Sequence, residues 1–409
     1  MKRLADLAIL GGPPLFACPL HVGRPSVPER EHFLRRVDGI LDRLWFTNDG
    51  PCVRELETRI AELIGVRHCV AMCNGTVALE IAIRAVGLTG EVIVPSLTFV
   101  ATAHALQWQQ ITPVFCDVDP RTYNLDPARL EALITPRTSG IIGVHLWGRP
   151  CAVDVLAEIA ARRRLRLLYD AAHAFGCSVR GRMIGGFGEA EVLSFHATKF
   201  FNTLEGGAVL TNDDELAQKM RLMRNFGFDG YDNVIYIGTN GKMNEISAAM
   251  GCALLDSLDE IIAVNRRNYH AYRRALAATP HVTLMAYDEG ERCNYQYIVL
   301  EMDEAAAGVS RDELVAVLWA ENVLARRYFY PGCHRMEPYR SHFPHAGLLL
   351  PETDRIGRCV VTLPTGSGVT PEDIAEIVAL IHLVLTHGEE VHTVLSGGLR
   401  PSQASAGVR

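Results

Sequence analysis

The stretch Glu191–Thr211, EVLSFHATKFFNTLEGGAVLT, decides how the chain is read. Val192, Leu193 and Phe195 make an apolar run of strand length. A Thr198–Lys199 turn follows, then the pair Gly206–Gly207, then a second apolar run, Ala208–Leu210, that predicts a return strand. Lysine is scarce in this chain: its forty basic residues are thirty-six arginines and four lysines, at positions 2, 199, 219 and 242. A lysine retained against such a bias invites a chemical reason. Arginine neither deprotonates nor condenses with a carbonyl in a protein, whereas a desolvated lysine does both. Lys2 falls in a terminal tail and Lys219 in the polar register of an amphipathic helix that begins near Asn212. Lys199 alone sits between a strand and a glycine pair, and an ordinary surface lysine on a turn is the competing account.

Outward from this stretch, strands and helices alternate. Candidate strands are Cys69–Cys73, Glu91–Pro95, Thr112–Val118, Ile141–Leu146, Leu165–Tyr169, Glu191–Phe195 and Ala208–Thr211. Helix-length connections between them predict an α/β fold, a seven-stranded and mostly parallel sheet covered on both faces. Helices are expected over 29–44, 52–64, 213–225 with Asn212 as cap, and 243–278 with a break. The remainder predicts a smaller α+β C-terminal domain. Its expected parts are a strand at Asn294–Leu300, a helix behind a Ser310/Glu313 capping box, a strand at Val323–Tyr328, and a last helix opened by Thr370, Pro371 and Asp373. The expected divisions are a Pro/Gly-rich arm over 1–30, packed on the body or on a neighbour, a large domain over 31–260, a small domain over 261–390 and a disordered tail over 391–409.

Bulk properties narrow the function. With 48% hydrophobic and 21% charged residues the composition is that of a globular enzyme, and a net charge of −7 argues against nucleic acid held on a broad basic face. No apolar run approaches the roughly 20 residues that span a bilayer, and the N-terminal apolar segment lacks a small-residue cleavage site, so a cytoplasmic protein is expected. Eleven cysteines, never spaced as CxxC, predict free thiols rather than disulfides or a metal site.

In a sheet of this kind ligands lie at the carboxyl ends of the strands. After the first strand come Asn74, Gly75 and Thr76, then a helical run. The amides and positive end of that helix suit a phosphate, and a plain Thr N-cap explains the residues equally well. After the second strand Phe99 opens the next helix, where it can stack on a planar ring or simply belong to the core. After the fifth strand Asp170 ends an apolar run, where a carboxylate is costly unless paired; a protonated ring nitrogen is the useful partner. His173, three residues on, faces the same ligand or is a packing residue. Adding Ser194 at the end of the Lys199 strand gives one crevice with a phosphate cradle, a ring stacker, an acid and a carbonyl-reactive amine. Pyridoxal 5′-phosphate (PLP) needs all four together.

The segments SFHATKFFNTLEGG, DAAHAFG, NGTVALEIA, VPSLTFVATAHA, VHLWGRP and GTNGKMNEISAAMG resemble the sugar aminotransferases of the DegT/StrS type, among the fold type I PLP enzymes. The likeness runs from about residue 8 to 385. It implies that Lys199 holds the cofactor covalently, that Asp170 partners the pyridine nitrogen, and that His173 lies near the ring hydroxyl. It further implies that Gly75, Thr76 and Ser194 hold the phosphate, that Phe99 stacks on the ring, and that Asn240 reaches the phosphate of a neighbouring subunit in a homodimer with shared active sites. Where many relatives have Gln, position 173 is His; where the family's usual residue is Arg, position 242 is Lys.

LAILGGPPLF, HVGRP, TNDGP and RRYFYPGCHRMEPY are most similar to the branch that aminates C4 of dTDP-4-keto-6-deoxyglucose, giving dTDP-4-amino-4,6-dideoxyglucose with L-glutamate as donor, for antibiotics or surface glycans. His334, Tyr330 and the N-terminal arm are the candidates for holding the sugar. The nearest rival is a 3-ketosugar aminotransferase of the same family. A non-catalytic PLP-binding protein would need a damaged site or a DNA-binding segment, and a nicotinamide enzyme would need a GxGxxG after the first strand; the sequence has neither.

Overall fold

In the computed structural model, which describes residues 2–398, the seven expected strands assemble into one sheet. They are β1 (His68–Met72), β2 (Glu91–Pro95), β3 (Thr112–Cys116), β4 (Thr138–Val144), β5 (Arg166–Asp170), β6 (Ala190–Ser194) and β7 (Gly207–Thr211). Their order is β1-β7-β6-β5-β4-β2-β3; β7 is antiparallel to both neighbours and every other pairing is parallel.

Among the described residues the longer helices that flank this sheet are α1 (Arg30–Arg43), α2 (Pro51–Ile64), α3 (Gly75–Val86), α4 (Ala101–Gln107), α5 (Val153–Arg163), α6 (Asp214–Met223) and α7 (Glu245–Leu255). Alternation along each strand sorts the core into two layers. Cys69, Ala71, Ile93, Leu167, Leu193 and Leu210 pack toward α1, α2, α5 and α7. Val70, Met72, Val94, Leu168, Val192 and Val209 pack toward α3, α4 and α6. Asp213, not Asn212, caps α6 by accepting from the Leu216 amide at 2.9 Å. The Asn212 side-chain oxygen, Oδ1, already accepts from the Arg67 amide.

A single helix, α8 (Leu258–Leu276), runs across the expected boundary at 260 and carries Tyr269 and Tyr272 into a second core. That core is built on the antiparallel sheet β8 (Val282–Leu284), β9 (Ile298–Met302) and β10 (Val360–Leu363), with α9 (Arg311–Ala320) and α10 (Pro371–Thr386) against it. The capping boxes at Ser310/Glu313 and Thr370/Asp373 are both present. Strand β9 starts four residues later than expected because Asn294 is engaged elsewhere: its Nδ2 donates to the carbonyls of His173 and Phe175 in the large sheet's loops. The strand expected over 323–328 is reduced to Val323–Leu324. Residues 391–398, expected to be disordered, belong to α11 (Gly388–Gly398), and the rest of that segment, 399–409, lies outside the described residues. All eleven cysteines are free, and only Cys18 is exposed among them apart from the half-buried Cys73.

The arm packs on the small sheet's domain, where Leu20–His21 pair in parallel with Val323–Leu324. Its anchor is Glu321, a carboxylate with no exposed side-chain surface that accepts from Lys2 Nζ at 2.6 Å, the Ala8 amide at 2.7 Å and the Leu15 amide at 2.6 Å. Lys2 is therefore no loose tail residue. Its ammonium also donates to the carbonyls of Asp6 and Pro13, three divergent acceptors that suit a tetrahedral donor better than a planar guanidinium. Glu321→Ala removes the countercharge of that ammonium and strands two amides, and is expected to destabilise the protein by roughly 3 kcal/mol. A lower Tm together with faster proteolysis of residues before Gly23 checks this; an unchanged Tm refutes it.

Candidate active site

The register of the antiparallel strand places the lysine. Gly207, first residue of β7, sits opposite both Ser194 at the end of β6 and Met72 at the end of β1, so three strand ends meet at one point. Glycine is required there by close approach: a Cβ on Gly207 would lie 2.6 Å from the Gly75 nitrogen, and one on Gly206 would strike Thr203 Oγ1. Between β6 and β7 the loop is closed by the Thr203 amide donating to the Phe195 carbonyl, with a turn from the Lys199 amide to His196. Phe200 and Phe201 anchor it in an aromatic cluster; the Phe201 ring lies 4.6 Å from Phe175 and 5.1 Å from Phe195. With its two successors pinned, Lys199 is left to point into the crevice.

Its amine donates to the hydroxyl of Tyr297 at 3.3 Å. The residue as a whole is partly exposed, yet its charged end is enclosed, and it is that end which feels the loss of water. Burial pushes the ammonium down from 10.5 to about 8, with the Asp170 charge opposing. An unfolded lysine holds its proton to the higher value, so between the two values the unfolded chain binds more protons and stability of the cofactor-free protein rises with pH. Only the neutral amine attacks a carbonyl. The rate at which the cofactor-free protein captures PLP covalently is thus expected to climb through pH 8 and level off above it; a rate flat from about pH 7 to 9 contradicts the shift.

Asp170 closes β5 at 9% exposure. Its Oδ2 accepts from Thr102 Oγ1 at 2.8 Å and its Oδ1 from the Ala172 amide at 3.1 Å, and among the described residues no cation forms an ion pair with it. Two neutral donors hold the carboxylate in place and leave it free to pair with a cationic ligand. Nothing in the sequence alone marks Thr102 as a site residue, although it follows Thr98 by four positions in PSLTFVATAHAL and their hydroxyls touch at 3.0 Å. His173 is buried beside it; burial, and next the Lys199 charge, drive its imidazole well below the ordinary value, so it is neutral. Its Nδ1 accepts from the Trp147 amide at 3.2 Å, which puts the proton on Nε2. Its ring stacks on Phe329 at 5.7 Å.

At the entrance of α3 the cap is Asn74, whose Oδ1 accepts from the Val77 amide, not Thr76. The Gly75 and Thr76 amides are then first-turn donors without intrahelical partners. A Cβ on Gly75 would lie 3.1 Å from Ser194 Cβ, so the glycine, the serine and the helix entrance form one concave cradle suited to a phosphate. Phe99 precedes α4 and is 57% exposed, no core residue, with its ring 6.2 Å from Phe329. Asn240 lies at the exposed base of the 225–240 loop, and its side chain has no hydrogen-bond partner among the described residues. Lys242 donates to Asn225 and sits over the Phe226 ring, a role internal to that loop.

Of the residues expected to hold the sugar, His334 is committed elsewhere: Nδ1 meets Ser96 Oγ at 2.7 Å and Nε2 meets Asp354 at 3.1 Å. Tyr330 is exposed, with the guanidinium groups of Arg311 and Arg327 5.1 and 5.0 Å from its ring centre. Tyr297 had no local signal at all, because it arrives from the small sheet.

The model of the DegT/DnrJ/EryC1/StrS aminotransferase family matches residues 28–382. A dTDP-4-amino-4,6-dideoxy-D-glucose transaminase of Shigella dysenteriae is 40% identical over 313 residues, 76% of this chain and 85% of that protein. A GDP-perosamine synthase of Caulobacter vibrioides is 38% identical over 87% of this chain and 95% of that protein. Among solved structures DesI, analysed in the presence of its TDP-sugar product, superposes with a TM-score of 0.93 at 51% identity, covering 96% of this chain and all of that one.

Proposed function

The chain belongs to the DegT/DnrJ/EryC1/StrS aminotransferase family, and from that premise we propose that it transfers the amino group of L-glutamate to C4 of dTDP-4-keto-6-deoxyglucose, giving dTDP-4-amino-4,6-dideoxyglucose. The observation that carries this reading is the 51% identity along the whole of DesI, a protein solved with a TDP-sugar product. The name of the Shigella relative points the same way.

The family's cofactor is PLP, and the crevice fits it. The Gly75 and Thr76 amides with Ser194 would bind the phosphate, Asp170 would pair with the ring nitrogen, His173 would offer Nε2–H to the ring hydroxyl, and Phe99 would cover the exposed ring face. When bound, PLP supplies an electron sink for the pair released from a C–H bond next to nitrogen. Lys199 Nζ would hold the cofactor at rest, then, once displaced by the substrate amine, carry the proton between the two carbons. Asn240 would close the same crevice of a second copy of this chain in a homodimer. The apolar side chains left exposed on that loop, Phe226, Val234, Ile235 and Ile237, support such burial.

The test is turnover with glutamate of dTDP-4-keto-6-deoxyglucose, its 3-keto isomer, and the GDP-linked 4-ketosugar that the Caulobacter relative suggests. Amination at C4 of the dTDP sugar is expected to be fastest. Turnover of the 3-keto isomer alone overturns the regiochemistry, and a preference for the GDP sugar overturns the nucleotide.

A further inference from the structure

We propose that Tyr297 is a positioning residue for Lys199: its phenol oxygen accepts one N–H of the freed amine and turns the remaining lone pair toward the substrate. This rests on reading Lys199 as the lysine that holds the cofactor. The contact is the 3.3 Å bond from Nζ to the Tyr297 hydroxyl, and among the described residues that hydroxyl has no other hydrogen-bond partner. The residue is 5% exposed. A buried polar group with a single partner is strongly tied to that partner, since losing it leaves the oxygen unsatisfied.

The tyrosine is itself held still. It directly precedes β9, its amide donates to the Tyr287 hydroxyl at 3.3 Å, and that hydroxyl donates to the Tyr297 carbonyl at 2.9 Å. Its ring lies 4.6 Å from His173, at an interplanar angle of 50°. A lysine side chain has several rotatable bonds and sweeps a wide volume once its end is released. A fixed acceptor at one N–H removes most of that freedom.

The chemistry of the pair follows from their protonation. Burial, then the neighbouring Tyr328 and Asp170, keep the phenol well above its ordinary value, so it stays neutral and does not act as the base. When Nζ takes the proton from the substrate carbon, its lone pair becomes the new N–H bond and the C–H pair stays with the substrate and cofactor. When Nζ hands that proton to the second carbon, the lone pair is restored. In both states Nζ keeps an N–H for Tyr297, so the amine pivots about a fixed contact and its aim survives the transfer. Because the phenol belongs to the small sheet while Lys199 belongs to the large one, the aim of the amine also depends on how the two are packed.

Tyr297→Phe retains the ring packing and deletes only the oxygen. With glutamate it should lower kcat by about 10- to 100-fold, the range for a misaimed reacting group, with KM little changed. The primary isotope effect with glutamate deuterated at the α-carbon should rise, because proton transfer becomes more rate-limiting. A second readout needs no turnover: the pH midpoint of the visible absorbance of the PLP-loaded protein should shift from that of the parent. A variant with the parent's isotope effect and the parent's midpoint overturns the inference. If Tyr297→Phe fails to fold, 3,5-difluorotyrosine at the same position preserves shape and weakens the oxygen as an acceptor, and the same two readouts decide. Failure of the underlying reading looks different: Lys199→Ala would still acquire covalent PLP, whereas a Lys199→Ala protein without it beside an unaltered Tyr297→Phe sinks only the role of the tyrosine.

Discussion

Lys199→Ala is expected to reduce transamination by roughly 10⁴-fold or more while leaving the protein folded. The size of the effect follows from what else is available in the crevice. The other lysines are all engaged at a distance: Lys2 at Glu321, Lys219 with the Ala85 carbonyl, Lys242 with Asn225. None can reach over to act in its place, and the thirty-six arginines cannot perform either task. The fold should survive because the loop is held by the buried rings of Phe200 and Phe201 and by the Thr203–Phe195 bond, not by the amine. Removing an enclosed amine that below about pH 8 must carry charge relieves a cost, so Tm near neutrality should be unchanged or higher. Spectra after incubation with PLP and gel filtration, alongside rates with glutamate, check this. A variant that keeps a visible band through filtration would place the covalent link elsewhere. Partial rescue of the glutamate half-reaction by a small added amine such as methylamine would identify the missing function as proton transfer.

The sheet was readable because its strands are buried on both faces, so each appears as a continuous apolar run between helix-length connections. The expected and observed bounds of Glu91–Pro95 coincide, and those of the other strands differ by a few positions. Asp170 stands out for the same reason, a charge at the end of an apolar run, whereas Lys199 stands out as one of four lysines among forty basic residues, between a strand and a glycine pair. The small sheet was less legible. Asn294 looked like the start of a strand because Tyr295, Tyr297 and Ile298 follow it, but its amide is spent on loop carbonyls of the large sheet, a contact more than a hundred residues away in sequence. Val323–Tyr328 is shortened likewise, since its partners are distant in sequence and brief: Leu20–His21 of the arm beside Val323–Leu324, and a single bridge from Arg326 to Thr362 of β10. His334 looked like a ligand among aromatic residues; no local pattern discloses that Ser96 and Asp354 already occupy both its nitrogens. Tyr297 reads as core, as any tyrosine in an apolar run does, and its hydroxyl acquires meaning only when the lysine loop is folded opposite it.

Asp170→Asn is expected to lower kcat by about 10³-fold and, in contrast, to leave stability unchanged or improved. The two effects separate because the carboxylate is held by neutral donors alone. In the cofactor-free protein no cation among the described residues lies at ion-pair distance from its charge; the Thr102 hydroxyl and the Ala172 amide hold it, and Lys199 feels it only through space. A neutral amide of the same shape escapes the desolvation of a buried charge and still accepts from one of those donors. On this reading the charge serves the ligand rather than the fold. Without it a protonated ring nitrogen of bound PLP would lack its anionic partner, and the electron sink that PLP supplies would be weakened. Thr102→Val tests the same arrangement more gently, since it removes one donor and leaves the charge; a loss nearer 10-fold is expected. Thermal melts of the cofactor-free proteins and single-turnover rates with glutamate check both variants. If Asp170→Asn lost stability and activity together, the carboxylate would be a structural tie between β5 and α4; if it kept both, the ring nitrogen would have to find its partner elsewhere in the crevice.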